Sequence, residues 1–375
     1  MLSLIFLLLS VLSALAVVYP YVIYNKILNL RPSKPLNPNV GHKCPATILF
    51  CVYNEASALP QKLKNLAELK SRHPELEVLA FDDGSSDGSA QMMQAHSSLL
   101  RVISGGGRNG KAHGMKVMAA QAKGDILIFT DANVTLRPDA IDALMPWYGD
   151  PQVGGVCGAL AYLATDSSAT ASVGGHYWRL EEKLKSNESR TGNMMGADGS
   201  IFSIRRTLYP EFPDTVLDDM TVSMHVVFAG KRLIKVEDVV AYEGAVAQRS
   251  EEIARKIRIA ARAFHTHQFL RPHLARLSRF DKFKYISHKL IRWFGAGFLT
   301  LCVVFFLLAA AFVKWELAVI LIFLFGVSGF AVLKAKHGPL AAIMEIVVAM
   351  FATQIGVIRA VRGETFAVWN PAKSR

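Results

Sequence analysis

A chain of 375 residues holds one sizeable soluble core with room beyond it, and a hydrophobic content of 51% is high for a purely soluble protein. Much of the net charge of +12 falls in 255–292, where Asp281 is the one acid and a long apolar run follows, a placement that argues for a membrane surface and against nucleic acid. Four cysteines, Cys44, Cys51, Cys157 and Cys302, have neither metal-ligand spacing nor a disulfide framework, which favours buried free thiols in a reducing compartment.

Residues 1–24 are apolar, uncharged and long enough to span a bilayer. A cleaved signal peptide competes, with a cleavage-like Ser13-Ala14-Leu15-Ala16, but no basic residue precedes the run and apolar residues continue to Leu30. An uncleaved anchor is the expectation. Lys26, Arg31, Lys34 and Lys43 then place the next segment in the cytoplasm. Pro-rich 25–44 reads as a linker, and 45–270 as the soluble domain.

That domain alternates strand and helix patterns. Ala46–Val52 is a buried-type strand ending at Tyr53-Asn54-Glu55, and Leu63, Leu66 and Leu69 give 59–72 helical spacing. Val78–Phe81 is a second buried strand ending in Asp82 and Asp83, followed by the turn residues Gly84-Ser85-Ser86-Asp87-Gly88. A helix from Ala90, a strand 99–103, a glycine loop, a helix 112–122 and a strand 125–130 ending at Asp131-Ala132-Asn133 complete the first half. The pattern predicts an α/β fold, a mainly parallel sheet with helices on both faces. Residues 153–243 look like a mixed continuation.

Residues 271–293 form a basic interfacial segment, and 294–360 a membrane region. The runs 294–313 and 315–333 are span-length and close enough to form a tight hairpin. A third run, 339–358, is weaker because Glu345 and Gln354 lie inside it. Three spans would put the tail 361–375 outside, whereas Arg359, Arg362, Lys373 and Arg375 vote for inside. Glu345 is a functional candidate or a helix-packing hydrogen bond. Trp293 and Trp369 read as interfacial anchors or packing residues.

Gly105-Gly106-Gly107-Arg108-Asn109-Gly110-Lys111-Ala112 nearly matches a P-loop, but Ala112 stands where the magnesium-binding hydroxyl belongs. A nucleoside-triphosphatase loop is therefore rejected, while Lys111 or Arg108 can still approach a diphosphate. Three strand ends carry polar groups: Tyr53 to Glu55, Asp82 with Asp83, and Asp131 to Asn133. Ligands of open α/β sheets bind at the carboxyl ends of strands, so this recurrence reads as a site rather than as ordinary turns.

In order, Val52-Tyr53-Asn54-Glu55, Asp82-Asp83-Gly84-Ser85-Ser86-Asp87, Asn109-Gly110-Lys111, Gly124-Asp125 through Asn133, and Leu217-Asp218-Asp219 resemble family-2 glycosyltransferases, which have the GT-A nucleotide-sugar-binding fold. The resemblance covers 45–262 and extends loosely to the membrane segments, as in membrane-bound polysaccharide synthases. It implies that Tyr53 and Glu55 contact base and ribose, that Asp82 and Asp83 bind the uracil of a UDP-sugar, and that Lys111 serves the donor. Asp131 and Asn133 would occupy the Asp-x-Asp positions holding a divalent metal, magnesium or manganese. Asn133 is a neutral ligand there, which weakens the metal site.

By the same resemblance Asp219 is the catalytic base, and Asp218 beside it would face the acceptor; the plain alternative is an acidic pair complementing a helix dipole. Asp198, in Gly196-Ala197-Asp198-Gly199-Ser200, would face the acceptor or hold a turn. Arg258 matches the Arg of the processive members' Gln-x-x-Arg-Trp, but Arg255 and Ile259 replace the Gln and Trp. Arg258 would stabilise the leaving diphosphate, and the missing Trp favours few sugar additions. The expectation is an integral membrane protein with a cytoplasmic catalytic domain, transferring a hexosyl group by inversion from a nucleotide-sugar to a saccharide or lipid-linked acceptor at the membrane lipid. Nucleic acid is not expected as a partner. A polyprenyl-phosphate sugar transferase and a non-catalytic membrane scaffold with the same fold are the alternatives.

Overall fold

A computed structural model describes residues 1–163, 169–244, 248–334 and 338–368. Strand β1 (Ala46–Val52) is buried at all seven positions, as a strand covered on both faces must be. It pairs in parallel with β2 (Glu77–Asp82) and with β4 (Ile126–Thr130), and β2 pairs in parallel with β3 (Arg101–Ser104). The remaining strands are β5 (Thr135–Leu136), β6 (Val153–Leu163), β7 (Ile201–Arg205) and β8 (Arg232–Gly244). They complete an eight-stranded sheet in the order β3-β2-β1-β4-β7-β6-β8-β5. The expected parallel half and mixed second half are both present: β7 runs antiparallel to β4 and β6, while β6 and β8 are parallel.

The helices, in chain order, are α1 (Leu2–Val18), α2 (Tyr24–Asn29), α3 (Leu59–Arg72), α4 (Ser89–Gln94), α5 (Lys111–Gln121), α6 (Ala140–Leu144), α7 (Ala169–Arg190), α8 (Asp218–Phe228), α9 (Arg249–Leu274), α10 (Arg279–Tyr285), α11 (Ile291–Trp293), α12 (Gly295–Ala311), α13 (Trp315–Lys334) and α14 (Gly338–Val361). Two apolar clusters fill the two faces of the sheet. One gathers Leu59, Leu63, Leu66 and Leu69 of α3 with Ile48, Phe50, Val78 and Ile128; the other gathers Met115 and Met118 of α5 with Leu49, Leu79, Phe129 and Phe202.

Register places the polar strand ends together. Val52 is opposite Asp82 and Asp82 opposite Ser104, so β1, β2 and β3 finish side by side. Because β7 is antiparallel to β4, with Thr130 opposite Ile201, the residues just before β7 arrive at the end where β4 delivers Asp131.

Leu2–Asn29 is continuously helical, past the expected boundary at Tyr24, and among the described residues Leu340–Val361 is the other helix long and apolar enough by itself to cross a membrane. The basic 279–293 helical stretch meets α12 at a 65° bend. α12 and α13 form the expected hairpin around Lys314. The run expected to be the weakest, around Glu345, is thus one of the two longest apolar helices. Its Glu345 accepts from Arg249 Nε of α9 at 2.6 Å, a packing ion pair. Ser10 and Ser13 mark the buried stripe of α1, and Ser10 Oγ donates to the Cys302 carbonyl of α12. The Pro-rich segment after α2 is fastened to α7: Lys34 N–H donates to the Arg190 carbonyl, and Arg190 donates to the Leu28 and Arg31 carbonyls. Trp293 is buried against Ala263, Phe264 and Val357, while Trp369 and the basic 369–375 lie outside the described residues.

Candidate active site

The turn after β2 is built by side-chain acceptors. Asp87 Oδ2 accepts from the Ala56 N–H, and Asp87 Oδ1 from the Ser89 N–H and hydroxyl. Asn54 sits at φ 52°, the one described non-glycine residue in the left-handed region, and its Oδ1 accepts the Ser86 N–H. This ties the ends of β1 and β2 together and fixes Tyr53, Glu55 and Asp82 at one rim. Asp82 Oδ1 accepts the Ser85 N–H at 3.2 Å.

Asp83 is turned into the fold. Fully buried, it accepts the Asn109 N–H at 2.6 Å and the Gly110 N–H at 2.9 and 3.1 Å through its two oxygens. The backbone donors of the P-loop-like sequence are thus taken by a carboxylate of the protein itself, at the N-terminus of α5. The Asp83 oxygens hold the loop that presents Lys111. Arg108 closes the same loop, with its Nε 3.4 Å from Asp83 Oδ2 and its guanidinium 3.3 Å from the centre of the Tyr53 ring.

Lys111, the first residue of α5, is the centre of the acidic end. Its Nζ donates to Asp131 Oδ1 at 2.6 Å and lies 3.8 Å from Asp218 Oδ2. Burial would lower its pKa, but Asp131, Asp218 and Asp219 together hold it above the ordinary lysine value. Gly199 marks the convergence. A Cβ placed there would stand 2.9 Å from Lys111 Nζ, 3.4 Å from Asp219 Oδ2 and 3.8 Å from Asp131 Oδ2. Three polar side-chain atoms therefore surround one point, and any side chain there would press first on the Lys111 ammonium.

Asp218 and Asp219 open α8. Asp219 Oδ1 accepts the Met220 N–H at 2.6 Å, which leaves Oδ2 toward the Lys111 end. Burial, and next the Asp218 charge, push the Asp219 carboxyl up to about 6 despite Lys111.

The other expected residues lie farther out. Asp198 is held by Lys185 Nζ at 2.7 Å and accepts the Ser200 N–H, so it anchors the turn before Gly199. Burial opposes its charge, but Lys185 and Lys235 keep its carboxyl below the usual range. Asn133 Nδ2 donates to Glu243 Oε1 at 3.0 Å. Arg258 is half-buried on α9, while Arg255, one turn earlier, faces Glu243 and Tyr162.

Lys62 escaped the sequence reading. Fully buried on α3, it donates to Thr130 Oγ1 and to the Val134 carbonyl, and so braces the loop carrying Asp131 and Asn133. Burial drives its ammonium down to about 7. Its signal was a lysine on the apolar face of an amphipathic helix, between Leu59 and Leu63. Glu243 gave no signal beyond ending a long strand.

Among the described residues no three His, Cys, Asp or Glu side chains cluster as a metal set. Asp131, Asp218 and Asp219 nevertheless outnumber Lys111, and Asp131 and Asn133 are oxygen-bearing. Such a set fits a hard divalent cation that also takes oxygens from a bound diphosphate.

Comparison with known proteins agrees with this geometry. The family model described as "Glycosyl transferase family 2" matches residues 47–212. Undecaprenyl-phosphate 4-deoxy-4-formamido-L-arabinose transferase of Proteus mirabilis (strain HI4320) is 34% identical over 107 residues, 26% of this chain and 32% of that protein. The protein of the same name from Pseudomonas fluorescens (strain Pf0-1) is 35% identical over 107 residues, 26% of this chain and 31% of that one. The chain thus spans about a third of these curated relatives' length. Among solved structures, the mannosyltransferase PcManGT from Pyrobaculum calidifontis, in complex with GDP-Man and Mn2+, superposes with a TM-score of 0.74 at 21% identity, covering 96% of this chain and 99% of that one. That likeness extends the fold across the apolar helices as well as the sheet. The chain therefore carries a family 2 glycosyltransferase domain of GT-A fold, matched over residues 47–212 and joined at both ends to long apolar helices.

Proposed function

We propose that this chain is an inverting glycosyltransferase that moves a hexosyl group from a nucleoside diphosphate sugar, a UDP-sugar by the resemblance of its motifs, to an acceptor hydroxyl at the membrane. The observation that carries the reading is the convergence of Lys111, Asp131 and Asp219 around Gly199. Tyr53, Glu55 and Asp82 take the base and ribose, and Asp83 acts one step back by holding the 105–111 loop. Lys111 meets the diphosphate, and Arg258 adds a second cation that stabilises it as it leaves. A divalent cation, magnesium or manganese, would be held by Asp131 and Asn133 and would neutralise charge on the leaving diphosphate.

The step is a single displacement. The acceptor oxygen bonds to the anomeric carbon as its proton passes to Asp219 Oδ2, and the bond to the diphosphate oxygen breaks on the opposite face. A carboxyl raised to about 6 suits this work, being ionised at neutral pH and more basic than an ordinary aspartate. The acceptor is a saccharide or lipid-linked saccharide, and the domain is cytoplasmic by the charge pattern after the first apolar helix. The undecaprenyl-phosphate transferases among the relatives support a second reading, transfer to a lipid phosphate, which needs no deprotonation. A nucleotide-sugar panel, read by nucleoside diphosphate release and product analysis, tests the proposal. Silence across the panel overturns it, and an Asp219→Asn variant that stays active on a polyprenyl phosphate selects the second reading.

A further inference from the structure

Away from the donor cleft, buried charges gather where α7, α2 and α10–α11 meet. Glu188 of α7 is fully buried. Its Oε1 accepts from the Tyr24 hydroxyl at 2.7 Å and faces His288 Nδ1 at 3.0 Å. Its Oε2 accepts the Met195 N–H at 2.9 Å. Lys284, equally buried, donates to the Glu188 and Asn193 carbonyls, both at 2.9 Å. His288 Nε2 in turn meets Glu181 Oε1 at 2.7 Å, and Glu181 Oε2 accepts from Arg292 at 2.6 Å.

One carboxylate thus joins three segments distant in sequence: the end of the N-terminal apolar helix, the basic helix before α12, and the loop after α7. That loop runs in four residues from Met195 to Gly199, the point shared by Lys111, Asp131 and Asp219. Its other side is fixed by α8, since the Ala197 N–H donates to Ser223 Oγ and Gly196 packs against Met220. Burial alone would raise the Glu188 carboxyl, but His288, Tyr24 and Lys284 hold it below its usual range, so the junction is ionic.

We propose that Glu188 is a positioning residue for the acceptor side of the site: it sets the 193–199 loop against Asp219 according to where Tyr24 and His288 are held. Its activity arm rests on the glycosyl-transfer reading, while its structural arm does not. Glu188→Gln is the discriminating change. A carboxamide has one acceptor oxygen, so it cannot accept from Tyr24, His288 and Met195 together and turns an N–H₂ toward one of them. Tyr24→Phe removes a single hydroxyl and serves as the milder variant.

Amide hydrogen exchange on the full chain in detergent or nanodiscs needs no substrate. Both variants should raise exchange at Met195–Gly199 about tenfold or more, while β1, β2 and β4 keep wild-type protection. Wild-type exchange in the loop, or loosening spread evenly over the sheet, overturns the proposal. With a donor from the panel, Glu188→Gln should lower kcat about 10- to 100-fold and leave nucleoside diphosphate affinity within about twofold. Unchanged turnover, or equal loss of turnover and nucleotide affinity, also overturns it. A wild-type chain that turns over no donor refutes the proposed function, and the exchange result still decides the junction.

Discussion

Asp219→Asn separates a catalytic base from a helix-start ornament by the sign of a stability change. Raising the carboxyl from 3.8 to about 6 means that ionising it in the folded chain costs about 3 kcal/mol more than in the unfolded one. Solvent reaches part of the half-buried side chain, so about 1–2 kcal/mol is the working figure. Asparagine keeps the acceptor for the Met220 N–H and removes the charge. The variant should therefore unfold about 1–3 °C higher at pH 7.5. The protonated carboxyl carries no such penalty. The advantage of the variant should vanish below about pH 4, where both states of the wild type are protonated, and grow as pH rises through about 6. Turnover should fall by at least about 100-fold in the same protein. Thermal unfolding of the full chain across pH, beside nucleoside diphosphate release, makes the measurement. An acid that merely complements the α8 dipole gives the opposite sign, a loss of about 0.3–1 kcal/mol, and that outcome refutes the reasoning.

Three further outcomes follow from the same geometry. Asp83→Ala strands the buried Asn109 and Gly110 N–H groups and should cost about 3 kcal/mol or more in denaturant unfolding, with the nucleotide-induced thermal shift lost as well; a stability equal to wild type would show that the carboxylate does not hold the loop. Gly199→Ala places a methyl 2.9 Å from Lys111 Nζ, a flexible end that yields, so stability should change by under about 1 kcal/mol while kcat falls about 10- to 100-fold; unaltered kinetics would remove Gly199 from the site. Lys111→Met withdraws the cation that holds the Asp219 carboxyl down, so the acidic limb of the pH–rate profile should move above about 6, whatever happens to its height; a limb that stays in place separates Asp219 from Lys111.

The parallel half of the fold was legible because its strands are short unbroken apolar runs ending in turn residues, and the helix pattern on α3 was equally plain. The antiparallel entry of β7 was not, since nothing in Ile201–Arg205 records which way its neighbours run. Without that direction Gly199 cannot be placed beside Asp131, so the glycine around which three polar atoms meet stayed hidden inside a loop read for its aspartate. The site aspartates were legible as strand and helix ends, but their duties were not. Asp83 shares its motif with Asp82 and differs only in facing Asn109 and Gly110, a contact spanning 26 residues. Lys62 and Glu188 escaped notice for a related reason. A buried charge in a helix is recognised by its partners, and those partners lie far along the chain.

Five aspartates near the sheet edge thus divide the work by their neighbours. Asp83 is satisfied by backbone donors and becomes structure. Asp198 is neutralised by Lys185 and becomes an anchor. Asp131 shares Lys111 and stays partly open to solvent, which leaves it able to exchange one cation for another. Asp218 lies farther from the same ammonium, at 3.8 Å, and loads its charge onto Asp219. Burial and that charge leave Asp219 more basic than its chemistry prescribes. Lys111 sits at the hinge of this division because it restrains Asp219 while paired with Asp131. On the proposed function, a diphosphate that draws the ammonium toward itself would weaken that restraint and so would link donor binding to base strength through one lysine.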